Sequence, residues 1–355
     1  MDSLSQIVLG GAVAAAIAPA AHRRAALAAG AALGTLPDLD SVPMWFLGLD
    51  PVTNMTWHRG PSHSLLVLLP FAALLWWLFK RAGGRVAEAP QRWYWAITLA
   101  LVTHPLLDAF TVYGTQLWWP LPPSPAMWSS VFIIDPLYTL PLLLACVFAL
   151  WRPSMASARR ALVLGLALST AYLGWSLAAK AMVERTAEKA LAARGLQDAP
   201  RFSVPMPFNT LLWRVVVMTP DGFLEGERSL VADEGPMVFR EYSSDGRVLE
   251  GVAELPAVRR LLWFNHGFMK AEERDGQAVL SDLRMGAEPD YSFRFIVAER
   301  AGEGWREVRP QQAAWPWEAR RRLAQMWERI WVQPEAGLQA AEAKSEAAPA
   351  SSASK

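Results

Sequence analysis

Four long apolar runs in the first half of the chain restrict its fold more than any other feature. They cover residues 65–79, 93–110, 131–151 and 161–179, and each is close to the length of about 17–25 residues that crosses roughly 30 Å of hydrocarbon. Tryptophans bracket these runs, as aromatic residues do at both surfaces of a bilayer. We therefore predict membrane-spanning helices, because four such runs close together are unusual for the core of a soluble protein.

Two shorter segments rich in alanine and glycine precede these runs. They cover residues 5–20 and 25–36, and a basic cluster around Arg23 separates them. Because small residues let helices approach closely, the two segments are either tightly packed crossings or a re-entrant hairpin. The sequence therefore predicts a membrane domain of about four to six segments.

The charged residues divide unevenly along the chain. Only 18 of the 67 Asp, Glu, Lys and Arg residues lie in residues 1–180, and the other 49 lie in the remaining 175 residues. We predict a membrane all-α multi-pass helical domain over residues 1–180, followed by a small soluble α+β domain over residues 201–335. Residues 181–200 are predicted to form a juxtamembrane helix or linker, and residues 336–355 a disordered tail.

The α+β prediction comes from a change of pattern near residue 201. Apolar and polar residues alternate beyond this point, and Asp-Gly pairs give turn signals between the alternating stretches. The predicted strands cover residues 213–219, 223–231, 237–242, 278–284 and 291–298, and the predicted helices cover residues 255–264 and 317–331.

Composition also excludes two classes of function. The net charge of +1 gives no electrostatic basis for binding nucleic acid. The single cysteine, Cys146, excludes both a disulfide framework and a cysteine-rich zinc site.

The basic residues of the membrane half predict its orientation. If successive spans cross the membrane in opposite directions, nine basic residues lie on one side of the membrane. The loops on the other side before residue 180 then hold only Arg59. Positively charged loops stay in the cytoplasm, so the N-terminus and everything after residue 180 are predicted outside it. The nine residues are Arg23, Arg24, Lys80, Arg81, Arg85, Arg92, Arg152, Arg159 and Arg160.

Polar residues are few in the membrane half, and they group on the side with few basic residues. Ionisable groups are costly in membrane segments, so such a group indicates a function. Separate segments deliver Asp2, Gln6, Asp38, Asp40, His58, Arg59, His63, Ser64, His104, Asp108, Tyr113, Thr115 and Asp135 to this one layer.

The spacing of four of these residues predicts a metal site. His104 and Asp108 are four residues apart, so on a helix they share one face. His58 and His63 lie on either side of a Gly-Pro corner and can converge on the same ion. Imidazole and carboxylate together suit zinc first, with manganese or iron as alternatives. We predict that these four side chains hold one divalent ion.

Other residues of the group receive predicted roles around this ion. Asp38 and Asp40 would be further ligands, a second metal site or the general base, and Arg59 would stabilise anionic charge on substrate. The residues predicted to orient ligands or substrate are Asp2, Gln6, Ser64, Tyr113, Thr115 and Asp135.

The motifs that carry these residues resemble a known family. They are Met-Asp-Ser-Leu-Ser-Gln at 1–6, Leu-Pro-Asp-Leu-Asp at 36–40, His-Arg-Gly-Pro-Ser-His-Ser at 58–64 and the run from Thr103 to Thr115. The chain resembles the bacterial membrane-bound metal-dependent hydrolases typified by YdjM, also described as LexA-binding. The resemblance implies a multi-pass inner-membrane enzyme. A LexA-type partner is also expected, on the resemblance alone. In many members histidine stands where this chain has Gln6.

The favoured hypothesis is a membrane-bound hydrolase. Metal-activated water would attack an amphiphilic, phosphoester or ester substrate at the lipid–water boundary. One alternative is a metal- or proton-coupled transporter, since intramembrane His and Asp also build ion paths. The other is a non-enzymatic membrane anchor or regulatory protein.

Overall fold

The first half of the chain is helical. The computed structural model describes residues 1–313 and 319–334. The helices of this half are α1 (Ser3–Ile17), α2 (Arg23–Thr35), α3 (Ser41–Phe46), α4 (Pro51–Trp57), α5 (Leu65–Ala82), α6 (Gly84–Glu88), α7 (Pro90–Ala109), α8 (Pro136–Trp151) and α9 (Ala156–Ala192). Short 3₁₀ turns lie at Ala20–His22, Leu36–Asp40 and Pro61–His63.

Side-chain caps explain where several of these helices begin. Asp2 accepts a hydrogen bond from the Ser5 backbone at the start of α1, and Ser64 caps α5 in the same way. Asp135 accepts from two backbone N–H groups of the first turn of α8, with Pro136 directly after it. The predicted run 131–151 therefore becomes helical only after its fifth residue, because this aspartate is the cap.

Two helices in the described residues are long and apolar enough to cross a membrane, α5 and α9. Only 11% of the apolar window of α5 is buried, and its exposed side chains include Leu69, Leu74 and Phe79. A core helix of a soluble protein would bury most of this surface, whereas lipid accepts it. Helices α1 and α8 are apolar but shorter. The larger number of crossings stays a prediction.

Helices α1 and α2 touch backbone to backbone. A Cβ atom added at Gly10 would lie 2.2 Å from the carbonyl oxygen of Gly30, and one added at Gly34 would lie 2.5 Å from the carbonyl oxygen of Gln6. Such an approach is open only to residues without a side chain. This contact brings the end of α2 against the start of α1, where the polar residues of the helical half gather.

We expect Gly30→Ala to destabilise the helical half. The new Cβ would lie 2.2 Å from the Gly10 carbonyl oxygen and 2.6 Å from Ala14 Cβ, and overpacking of this kind costs about 1–3 kcal/mol. Gly174→Ala in α9 is the matched control, because a Cβ there meets nothing within 4 Å. Thermal unfolding in detergent measures both variants, and equal unfolding temperatures would contradict the close contact.

The second half of the chain is built on antiparallel sheets. The strands are β1 (Arg201–Pro205), β2 (Leu212–Thr219), β3 (Gly222–Ser229), β4 (Phe239–Ser243), β5 (Met269–Arg274), β6 (Gln277–Asp282), β7 (Gly286–Ala287), β8 (Asp290–Tyr291), β9 (Arg294–Ala301) and β10 (Gly304–Gln312). One sheet has the order β1-β2-β3-β4, the other β10-β9-β6-β5, and β7 pairs with β8. The helices are α10 (Gly246–Val252), α11 (Pro256–Phe264) and α12 (Ala319–Trp331).

At the junction between the halves, the predicted span and the predicted juxtamembrane helix are continuous. The apolar run 161–179 and most of residues 181–200 form one helix, α9, of 37 residues. Its last turns carry Val183, Ala187 and Leu191 into a core shared with the first sheet. The predicted tail, residues 336–355, lies outside the described residues.

A buried arginine ties the second half to the loop after α7. Arg284 is 1% exposed and pairs with Asp282, with 2.7 Å from Nη2 to Oδ2. Its Nη1 donates to the backbone carbonyls of Tyr113, at 2.8 Å, and Phe264, at 3.1 Å. The position of Tyr113 therefore depends on a residue far along the chain.

We expect Arg284→Met to lower the stability of the protein strongly. It leaves Asp282 buried without its partner, and removing one member of a buried pair costs about 3–5 kcal/mol. Arg306→Met is the control, because Arg306 and Glu299 form an exposed pair, and such pairs contribute about 0–1 kcal/mol. Chemical unfolding followed by tryptophan fluorescence measures both, and a loss no larger than the control's would refute the expectation.

Candidate metal centre

Four side chains from three elements converge on one point. Asp38 comes from the 3₁₀ turn after α2, His63 from the turn before α5, and His104 and Asp108 from one face of α7. One possible ligand atom from each lies within 4.8 Å of every other. His63, His104 and Asp108 are fully buried. This group could hold a metal ion.

Five of the six distances between possible ligand atoms of the group lie between 3.0 and 3.6 Å. The Nε2 atoms of His63 and His104 are 3.0 Å apart, and each lies 3.4 Å from Oδ1 of Asp38. Oδ2 of Asp108 lies 3.2 Å from the first Nε2 and 3.6 Å from the second. Tetrahedral zinc with bonds near 2.0 Å separates its ligand atoms by about 3.3 Å. These five separations bracket this value, and the sixth, between Asp38 and Asp108, lies within 4.8 Å.

Hydrogen bonds fix which ring nitrogen of each histidine faces the centre. Nδ1 of His104 lies 2.5 Å from the carbonyl oxygen of Gly34 and must donate to it. Nδ1 of His63 donates to the Ser62 hydroxyl at 3.0 Å, since that hydroxyl donates to Asp40 at 2.6 Å. Both rings therefore turn Nε2 towards the centre, where the two nitrogens lie 3.0 Å apart. Contacts of this kind also orient histidine ligands in metal sites.

Asp108 is held by several donors from different parts of the chain. Its Oδ1 accepts from Gln6 Nε2 at 3.0 Å and from the amino group of Met1. Its Oδ2 faces Arg59 Nε at 3.1 Å as well as the two histidines. Gln6 is therefore a partner of a predicted ligand and stands outside the four-residue group.

Arg59 enters the site through a strained backbone. Its φ of 62° lies in the left-handed region, which is costly for a residue with a side chain. This turn places the buried guanidinium beside Asp108, with Nη1 donating to Thr111 at 2.9 Å and the ring of Tyr113 4.8 Å away. Among the described residues, none forms a hydrogen bond with Nη2 of Arg59.

His58, which the spacing placed among the ligands, lies outside the four-residue group. Its Nδ1 is 2.8 Å from Oδ1 of Asp40, and its side chain is partly exposed. Asp40 also accepts from Ser62 and from the backbone of Arg59. Asp38 is the fourth member of the group instead of His58. A further metal ligand is one of the three roles that the sequence predicts for Asp38. The Gly-Pro corner therefore brings one histidine, rather than two, to the centre.

The remaining predicted site residues frame the centre. Asp2, Ser64 and Asp135 cap helices, as described above, and Asp135 also accepts from Tyr172. The Tyr113 hydroxyl donates to a backbone carbonyl of α4, and the Thr115 backbone pairs with that of Ala126. None of these five predicted residues belongs to the four-residue group.

The carboxyl groups beside the centre keep their negative charge. Burial alone would raise the pKa of Asp38, but its contacts with His104 and His63 outweigh burial and lower that pKa well below its ordinary value. Asp40 is likewise partly buried, and its contact with His58 lowers its pKa. Both groups therefore present carboxylates rather than carboxylic acids to a cation.

Three residues that position members of the site were not among the predicted site residues. Ser62 links His63 to Asp40, Thr111 links Arg59 to the backbone of Asp108, and the Gly34 carbonyl orients His104. Ser62 lies inside the run 58–64 and Thr111 three residues after Asp108, so their positions offered a signal. No sequence signal indicates that the Gly34 carbonyl, in a glycine-rich helix, orients a histidine.

The fold and this group define a membrane protein that could hold a metal ion in its helical half. The family model described as YdjM inner membrane protein matches residues 1–183. The match covers more than half of the chain, so the protein belongs to this family, and the resemblance noted in its motifs is confirmed. Searches of curated proteins and of solved structures returned no match.

Proposed function

We propose that this protein is a multi-pass enzyme of the bacterial inner membrane that hydrolyses an ester or phosphoester bond of an amphiphilic substrate with a divalent metal ion. The convergence of Asp38, His63, His104 and Asp108 carries the proposal. Two oriented Nε2 atoms and two carboxylates offer the charge of −2 that a divalent cation neutralises. Family membership supports the inner membrane as its location.

Zinc is the ion that we propose first. Two imidazoles and two carboxylates, without a thiolate, suit zinc and also manganese or iron. A bound divalent ion supplies Lewis acidity, which makes water a usable nucleophile near neutral pH. The residues of this chain then have to bind the substrate, position it and move protons.

Arg59 is the proposed binder of the reacting group. Its Nε and Nη1 are engaged by Asp108 and Thr111, which fixes the guanidinium plane. Nη2 is left to donate to a phosphoryl or acyl oxygen, where negative charge grows as water adds. The strained backbone at this residue is consistent with a functional constraint.

Asp40 and His58 are the proposed proton-handling pair. The carboxylate fixes Nδ1 of His58, so the ring directs Nε2 away from Asp40. In the proposed reaction the water oxygen bonds to phosphorus or carbon, and the bond to the leaving oxygen breaks. One water proton passes to His58 and then to the leaving oxygen, so the enzyme returns to its starting state.

The proposed orientation follows the basic loops. If the span ends at Arg81 and Arg152 face the cytoplasm, the metal centre and the sheet domain face the other side. In this proposed arrangement the two candidate spans, α5 and α9, would connect the basic layer to the polar layer.

Hydrolysis by the full-length protein in nanodiscs tests the proposal. The protein is depleted of metal with a chelator, reloaded with zinc, manganese or iron(II), and assayed with p-nitrophenyl phosphodiesters and carboxylic esters. We expect turnover that disappears on depletion and returns with one of the metals. Asp38→Asn should abolish it, whereas Asp50→Asn, which alters the cap of α4, should not. Absence of turnover with every metal and ester, or turnover that survives depletion, would overturn the proposal.

A further inference from the structure

An exposed apolar segment begins directly beside the metal centre. The segment of residues 39–47 starts one residue after Asp38 and contains α3, in which no residue is buried. Trp45 and Phe46 are both 76% exposed and stack edge to face, with ring centroids 4.9 Å apart, and Leu47 is 70% exposed. Soluble surfaces rarely keep two aromatic rings so fully in water, whereas bilayer interfaces favour them.

The segment is attached to the centre, because it continues the turn that carries Asp38. The Ser41 hydroxyl donates to the Asp38 carbonyl at 2.9 Å and joins the turn to α3. Trp45 lies seven positions after Asp38, which is about 10–12 Å of helical rise. A molecule with its polar head at the centre could therefore lay its apolar chain along Trp45 and Phe46.

The exposed surface continues onto a candidate membrane span. The turn Leu36–Asp40 contacts the turn Pro61–His63, which leads into α5 with its exposed Leu66 and Leu69. A second apolar loop, with Trp118 and Leu121 exposed, is bonded to the start of α5 through Ser64. The turn that begins the segment thus contacts the turn that leads into α5, whose exposed apolar side chains make it a candidate membrane span.

We propose that residues 39–47 insert into the lipid leaflet nearest the metal centre and form the route by which an amphiphilic substrate reaches it. Bilayer lipid is the occupant of this surface. The insertion stands on exposure and continuity with α5, whereas the substrate route rests on the proposed hydrolase function. The expected substrate carries its reactive ester close to the headgroup and at least one acyl or prenyl chain.

Spin-label accessibility tests the insertion without any activity. In a Cys146→Ser background, single nitroxide labels are placed by Trp45→Cys, Leu69→Cys and Val231→Cys in nanodiscs of phosphatidylethanolamine and phosphatidylglycerol. Leu69 is exposed on α5, and Val231 is an exposed apolar residue of the sheet half. Oxygen concentrates in lipid, and a neutral nickel chelate stays in water.

We expect the label at residue 45 to collide more often with oxygen than with the chelate. The label at residue 69 should behave in the same way, and the label at residue 231 should collide more often with the chelate. A label at 45 that behaves like the one at 231 would overturn the insertion. Exclusion of both reagents would also overturn it, since it would mean that protein covers the segment. Phe46→Cys repeats the measurement, and an unchanged unfolding temperature shows that each labelled protein is folded.

A pair of substrates tests the route. Hexadecyl and methyl p-nitrophenyl phosphate share the same reacting group, so only the apolar chain differs. We expect the Trp45→Ser/Phe46→Ser variant to raise KM for the hexadecyl ester about tenfold, through lost apolar contact, and to leave the methyl ester unchanged. Equal effects on both esters would overturn the route. If the wild type cleaves neither, the hydrolase function fails, and the labels still decide the insertion.

Discussion

His104→Ala should abolish metal binding at the proposed centre. The substitution removes one of four ligand atoms and the ring that the Gly34 carbonyl orients. Loss of a residue that only orients a ligand costs about 10–100-fold in metal affinity, so loss of a ligand should exceed a hundredfold. We expect elemental analysis to find about one metal ion per wild-type chain and almost none in the variant, since four-ligand zinc sites bind a single ion.

A graded series makes this expectation specific. Ser62→Ala keeps every ligand but removes the link from His63 to Asp40, so its affinity should fall by about 10–100-fold. His22→Ala removes another buried histidine of the helical half, which contacts Glu88 and Trp93 far from the group, and should change nothing. Chelator competition measures all three affinities. An unchanged affinity in His104→Ala would exclude this group as the metal site.

Local periodicity was enough to predict part of this centre. The spacing of His104 and Asp108 places both on one face of a helix, and α7 carries them that way. Most apolar runs and strands were also found near their predicted positions, because burial on one face leaves a periodic signal.

The position of His58 could not be derived from spacing. A single left-handed residue, Arg59, reverses the chain between the two histidines and sends one ring towards Asp40. Left-handed conformations at a residue other than glycine depend on the surrounding structure, here on the contacts of the guanidinium with Asp108 and Thr111. The partners that decide the turn lie about 50 residues further along the chain.

Besides the two-residue strands β7 and β8, three longer strands escaped prediction for a different reason. β5 and β10 lie at sheet edges and carry charged residues at exposed positions, so alternation is weak. β1 has only five residues and ends at Pro205, and it is recognisable mainly through its pairing with β2. The link from Arg284 to Tyr113 is likewise set by tertiary packing across 171 positions of sequence.

Arg59→Gln should lower kcat strongly while the metal stays bound. The variant keeps a side chain that can fill the space but loses Nη2, the donor that we propose binds the reacting group. Removing one such donor from a preorganised anion site typically costs about 10²–10³ in kcat. Asp108 keeps its contact with Gln6, at 3.0 Å, so at saturating metal the metal content should stay near that of the wild type. Steady-state kinetics with the methyl phosphodiester, at measured metal occupancy, gives the comparison.

Two further variants separate transition-state stabilisation from general damage. Arg59→Lys retains the positive charge without the planar fork, so its kcat should lie between the wild type and Arg59→Gln. Arg260→Gln removes another partly buried arginine, one that bonds to Thr56 and contacts no member of the four-residue group, and should leave kcat unchanged. A kcat for Arg59→Gln within about twofold of the wild type at equal metal content would exclude Arg59 from the reaction, because a donor in the reacting site contributes far more than that.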